Sequence, residues 1–128
     1  GWTPLSIACL EGHEGIANAL LEKDRIEINK ADNDGWTPLS IACQHGHEGI
    51  VNALLEKDGI ELNKADKEGY TPLHLACQGG HEAIVYALLE KDGIGINKAN
   101  VYCETPLSIS SGLDHNEIVQ ILKEKGAK

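Results

Sequence analysis

Thr-Pro-Leu begins at Thr3, Thr37, Thr71 and Thr105, each 34 residues after the one before. Recurrence at a fixed interval of this size marks one supersecondary unit that is copied and stacked, not a chain wound round a single core. The copies are close, since residues 1–34 and 35–68 agree at 27 of 34 positions. The 128 residues therefore form one domain of four units, 1–34, 35–68, 69–102 and a shorter 103–128. Phe and Met are absent and aromatic residues make up 4%, so Leu, Ile, Val, Ala and Cys must fill the stacked interior.

The second unit shows what is being copied. Thr37 is placed to N-cap a helix, Pro38 suits its first turn, and Leu39, Ile41, Ala42 and Cys43 continue it. Gly46 stops that helix, because glycine takes a left-handed C-terminal position without strain. The spacing of Ile50, Val51, Leu54 and Leu55 predicts a second helix from about Glu48 to Lys57 with one apolar face. Asp58-Gly59 ends it, and a short extended piece from Ile60 to Asn63 leads to a turn over Asp66 to Gly69.

Gly35-Trp36-Thr37-Pro38-Leu39, Ile41-Ala42, Gly46-His47, Ile50-Val51, Leu54-Leu55 and Asn63 recur through the four units with few changes. On these residues the sequence resembles the ankyrin repeat family over essentially its whole length. The resemblance implies an all-α repeat solenoid of stacked helix-turn-helix units joined by β-hairpin-like loops. Two features depart from the family pattern. The period exceeds the usual one of about 33, and the extra residue falls within Lys57-Asp58-Gly59-Ile60. Ser6, Ser40 and Ser108 stand where the usual His follows Thr-Pro-Leu, a His kept only as His74. A Ser hydroxyl bonds locally to backbone, so a looser polar network between units is expected.

The fourth unit differs in a direction that stacking explains. Lys123 replaces the Leu of positions 21, 55 and 89, and Ser110-Ser111 replaces Ala-Cys. Its last helix, expected over Glu117 to Lys125 with Gly126 closing it, is rich in Gln and Lys. A unit facing water on its outer side needs such polar replacement, so 103–128 reads as a C-terminal cap. The first unit keeps Leu21 and reads as the interior of a longer array whose front is missing.

Several chemistries are disfavoured. The net charge of −9 opposes nucleic acid as a ligand, which needs a cationic footprint. No apolar run approaches the roughly 18 residues of a membrane span, so no membrane insertion is expected. Cys9, Cys43 and Cys77 each precede a His by four residues, at His13, His47 and His81. A zinc site needs four ligands, each unit offers one pair, and packed helices lie about 8–10 Å apart. The cysteines then fill core slots and the histidines bond backbone at the helix start. Equivalent cysteines one unit apart exceed the roughly 7 Å Cα limit for a disulfide. Cys103 replaces a turn glycine and is expected to be the most exposed thiol. Four reduced cysteines and no Asn-x-Ser/Thr sequon point to the cytoplasm or nucleus. Ser108, Ser110, Ser111 and His115 lie close in sequence, but the cap accounts for the serines. No glycine loop cradles phosphate, so no catalytic, cofactor-binding or metal-binding residue is assigned. In a longer enzyme the active site would lie in another domain.

The ankyrin resemblance implies a protein-protein interaction module that binds through hairpin tips and the first helices. Carried over by position, the tips comprise Trp2; Asn33, Asp34 and Trp36; Lys67, Glu68 and Tyr70; and Val101, Tyr102 and Glu104. The helix positions are Leu10 and Glu11, Gln44 and His45, Gln78 and Gly79, and Gly112 and Leu113, where the units differ most. Trp2, Trp36 and Tyr70 form a ladder of rings outside the apolar helix faces, and such rings are typical interface anchors. The first unit carries seven acids against three bases and the second six against three, which favours a basic or extended protein segment as partner. A monomeric module is expected. The alternative is a structural spacer, in which near-identical units matter for length alone. Asparaginyl hydroxylases acting on this family prefer Leu, five residues, an acid, an apolar residue and Asn. Leu21 with Glu27-Ile28-Asn29 and Leu55 with Glu61-Leu62-Asn63 resemble that pattern, whereas Gly95 removes the acid before Asn97.

Overall fold

The structure, a computed structural model, describes residues 2–23 and 26–128. Its helices pair along the chain as α1 (Pro4–Glu11) with α2 (Glu14–Leu21), and α3 (Pro38–His45) with α4 (Glu48–Leu55). The later pairs are α5 (Pro72–Gly79) with α6 (Glu82–Leu89), and α7 (Pro106–Gly112) with α8 (Asn116–Glu124). Each first helix begins as its Thr-Pro pair dictates. Thr3, Thr37, Thr71 and Thr105 are extended N-caps whose hydroxyls accept the backbone N–H three residues on. Ser6, Ser40, His74 and Ser108 accept the cap's own N–H in return, so each cap is reciprocal. Gly46, at φ 76°, ends α3 in the left-handed region as expected.

The second helices differ at their ends from what their apolar spacing suggests. α4 stops at Leu55 instead of Lys57, because Lys57 N–H bonds the Leu54 carbonyl at 3.1 Å and tightens the last turn. α8 sits one residue earlier than expected at both ends. The extended piece over 60–63 forms no strand, and none occurs among the described residues. Each tip is instead a turn pinned by one side chain. Asp66 Oδ1 accepts from the N–H groups of Glu68 and Tyr70 at 2.9 and 3.0 Å. Asp66 N–H closes the turn on the Tyr70 carbonyl at 3.0 Å. Asp32 and Asn100 do the same in the neighbouring turns.

Successive units stack through both helix rows. The first helices pack against one another more closely than the second helices do, and α1, α3, α5 and α7 form the row beside the turn tips, the inner row. Leu39, Leu54, Leu73, Ile84, Leu88, Ile118 and Leu122 lie in one continuous core. Each such side chain contributes about 1.5–3 kcal/mol.

Polar ties between units follow the sequence only in part. His74 Nε2–H reaches the Glu104 carbonyl of the next unit at 2.9 Å, while Ser6, Ser40 and Ser108 bond only locally, which leaves the looser network expected of them. A different set of histidines compensates. His47, His81 and His115 reach back to the carbonyls of Leu10, Gln44 and Gln78 at 3.3, 2.9 and 3.3 Å. They therefore bond across units and not at the start of their own helices, where no side-chain cap exists. Each ring sits close against a glycine of the preceding unit, and a Cβ on Gly12 would stand 2.6 Å from the His47 ring. Asn29 and Asn63 form a third ladder. Their amides donate to the Gly59 and Gly93 carbonyls at 2.8 Å and accept from Glu61 and Gly95 N–H at 2.9 and 2.7 Å.

Candidate interaction surface

The turns and the inner helix row enclose two clefts in series. The first has a volume of about 300 Å³ and is lined by Trp2, Leu10, Asp32, Asp34, Trp36, Ile41, Gln44 and His45. The second, about 220 Å³, is lined by Trp36, Gln44, Asp66, Glu68, Tyr70, Leu75 and Gln78. Trp36 and Gln44 thus serve both, as a shared wall. The repeat explains this directly: residues 34 apart occupy the same place in the two clefts, so Asp32 matches Asp66, Asp34 matches Glu68 and Trp2 matches Trp36. Trp2 is 52% exposed, whereas Trp36 is half-buried and packs partly on the core. Tyr70 is half-buried too, its ring edge-on to His74 with centroids 5.9 Å apart.

Of the residues singled out from sequence, the clefts gather Trp2, Leu10, Asp34, Trp36, Gln44, His45, Glu68, Tyr70 and Gln78. Glu11, Asn33, Lys67, Val101, Tyr102 and Leu113 are exposed on the surface outside them, and Glu104 is half-buried. Asp32, Ile41, Asp66 and Leu75 line the clefts too, and none of them is among the contact residues expected from the sequence. The two aspartates carry one signal in the sequence, recurrence four residues before Trp36 and Tyr70.

The fourth turn is built differently. Glu68-Gly69-Tyr70 is followed one unit later by Tyr102-Cys103-Glu104, with ring and acid exchanged. The exchange yields two crossed pairs. Tyr70 Oη donates to Glu104 Oε1 at 3.3 Å, and Tyr102 Oη donates to Glu68 Oε2. Burial and the Glu104 carboxylate push the Tyr70 phenol up, and the hydrogen bond to Glu68 pushes Tyr102 up. Among the described residues, no Lys, Arg or His forms an ion pair with Asp32, Asp34, Asp66 or Glu68.

Most of the remaining reactive side chains are committed to structure, Cys103 being the exception. Burial raises the Cys9 thiol to about 12 and Cys77 to about 11, and Cys43, wholly buried, shifts in the same direction. Cys103 is the exposed thiol. Ser108 and Ser110 donate to the carbonyls of Thr105 and Pro106, while His115 faces the Gln78 carbonyl, so serine and imidazole do not meet. Among the described residues no three His, Cys, Asp or Glu side chains converge as metal ligands. None of their helices is long and apolar enough to cross a membrane.

Paired helices in a 34-residue register, glycine-seated histidines and pinned turns define a helical repeat solenoid. The family model described as ankyrin repeats (3 copies) matches residues 1–66 and again 59–128. The chain belongs to the ankyrin repeat family, whose members are generally protein-protein interaction modules. No curated protein matches it.

Proposed function

We propose that the chain is a non-catalytic module that holds a protein segment along its turn tips and inner helix row. The observation carrying this reading is the pair of aromatic-walled clefts sharing Trp36. Trp2, Leu10, Asp34, Trp36, Gln44, His45, Glu68, Tyr70 and Gln78 are the contact residues, with Glu11, Asn33, Lys67, Val101, Tyr102, Glu104 and Leu113 at the margins. The acid excess of the first two units supports a basic, extended segment, felt mainly in association rate and salt dependence. The buried thiols support a reducing compartment, cytoplasm or nucleus.

The rival reading, a spacer within a longer array, draws on the 27 of 34 identities between the first two units. Pull-downs with the intact chain and with a Trp36→Ala, Tyr70→Ala form separate the two. A module loses its partner in the double variant, whereas a spacer shows no difference between them. Leu54→Ala supplies the scale for folding, since deleting a buried Leu side chain costs about 2–5 kcal/mol. Trp36→Ala should cost clearly less in urea unfolding. If the two are equally damaging, the ring belongs to the scaffold and the binding surface lies on the helices.

A further inference from the structure

We infer that the two clefts are a tandem pair of cation-accepting subsites for a basic segment in the polyproline-II conformation, with Lys or Arg at every third position. The inference rests on the interaction reading above and gives it a ligand chemistry. Each cleft sets two aromatic walls beside two carboxylates, Asp32 with Asp34 in the first and Asp66 with Glu68 in the second. An indole or phenol face attracts a cation through its quadrupole, and a carboxylate at the rim adds charge without demanding burial. No described cation already neutralises those acids, and the surrounding chain is strongly acidic. A phosphate-bearing ligand would meet like charge in both subsites.

The spacing selects the conformation. The first helices of successive units are packed neighbours, and packed helices lie about 8–10 Å apart, which sets the expected step from one cleft to the next. A polyproline-II chain rises about 3.1 Å per residue, so side chains three residues apart lie about 9.3 Å apart on the same face. In an extended strand, same-face side chains two residues apart are separated by only about 6.6–6.8 Å, which falls short of the second cleft. Polyproline II also leaves its backbone groups outward for solvent or for Gln44 and Gln78 on the cleft walls.

The chain's two tryptophans, Trp2 and Trp36, both line the first cleft, so its intrinsic fluorescence reports occupancy there. Proline-rich host peptides carrying two arginines would be titrated by fluorescence and by calorimetry. The Arg-x-x-Arg peptide should bind about tenfold more tightly than peptides with the arginines adjacent or one residue apart. Binding should weaken with salt, and Asp34→Asn and Glu68→Gln should each lower it several-fold with the helical circular dichroism unchanged. Equal affinity for all spacings overturns the tandem arrangement, and equal binding of a Glu-x-x-Glu peptide overturns the cation chemistry. If no arginine peptide binds while the pull-down still depends on Trp36 and Tyr70, the ligand class is wrong and the interaction module stands.

Discussion

His74→Ser gives the third unit the residue that the other three already carry, and so isolates what the imidazole adds. The serine should keep the reciprocal cap with Thr71, as Ser40 does with Thr37. What disappears is the 2.9 Å bond to the Glu104 carbonyl and the edge contact with Tyr70. Leaving a carbonyl without its donor in this half-buried place costs about 1–3 kcal/mol. The ring contact adds about 0.5–1.5 kcal/mol. A loss of about 2–4 kcal/mol in urea unfolding at neutral pH is expected. The same side chain predicts a pH dependence of known sign. His74 is fully buried, and burial holds its imidazole below the ordinary value of 6.5, outweighing the opposing pull of Glu104 and Asp66. Acid therefore protonates the unfolded chain first, and the histidine's contribution is whole above pH 6.5 and drains away below it. The gap between the natural chain and His74→Ser should be widest above that pH and narrow as pH falls towards the folded-state value. Equal stability of the two proteins, or a gap that is unchanged between pH 8 and pH 5, would refute this account.

Cys103 should be the one thiol that reacts quickly with an alkylating agent in the folded chain, as read by mass spectrometry, with Cys9, Cys43 and Cys77 reacting only on unfolding. Cys103→Gly should stabilise the last turn by up to about 1 kcal/mol in thermal unfolding, because Cys103 sits at φ 64°. We propose that 103–128 is a cap: a chain ending at Asn100 should aggregate or lose far more stability than its length implies, since Leu88 and Leu89 would be uncovered. Light scattering and urea unfolding read this, and a monomeric, equally stable truncation overturns it. Incubation with an asparaginyl hydroxylase should add oxygen at Asn29 or Asn63 before Asn97, even though both of the former bridge neighbouring loops. The reverse order in peptide mapping would show that accessibility outweighs the Leu-to-acid spacing.

Helix starts were the most legible part of the chain, because Thr-Pro leaves the backbone few choices and the cap completes itself within three residues. The second-helix ends were less so. Lys57 continues the charge and length pattern of a helix, yet its N–H pairs three residues back, a choice decided by the loop that follows. The extended piece over 60–63 forms no strand for a related reason: Asp66 Oδ1 holds two turn N–H groups, and the tip closes as a turn without a ladder. His47 was misplaced because nearness in sequence suggested its own helix, whereas its partner, the Leu10 carbonyl, lies 37 residues away. The aromatic ladder was legible from position alone. That Trp36 would wall two clefts was not, since a shared wall exists only once neighbouring units are stacked.

The exchange of ring and acid between Glu68-Gly69-Tyr70 and Tyr102-Cys103-Glu104 bears on how such an array can be rearranged. The first two units present nearly the same residues to whatever follows. Duplicating or deleting one leaves each junction with familiar groups, and His81 would find the Leu10 carbonyl as readily as that of Gln44, because the acceptor is backbone. The last junction has no such tolerance. Were the fourth turn stacked on Asp34-Gly35-Trp36, Tyr102 would meet a shorter acid, and Glu104 would trade a phenol donor for an indole. Recombination is thus accepted on one side of Tyr70 and resisted on the other. The third and fourth units should therefore tolerate exchange best as a pair, whereas swapping the first and second should leave the crossed bonds untouched.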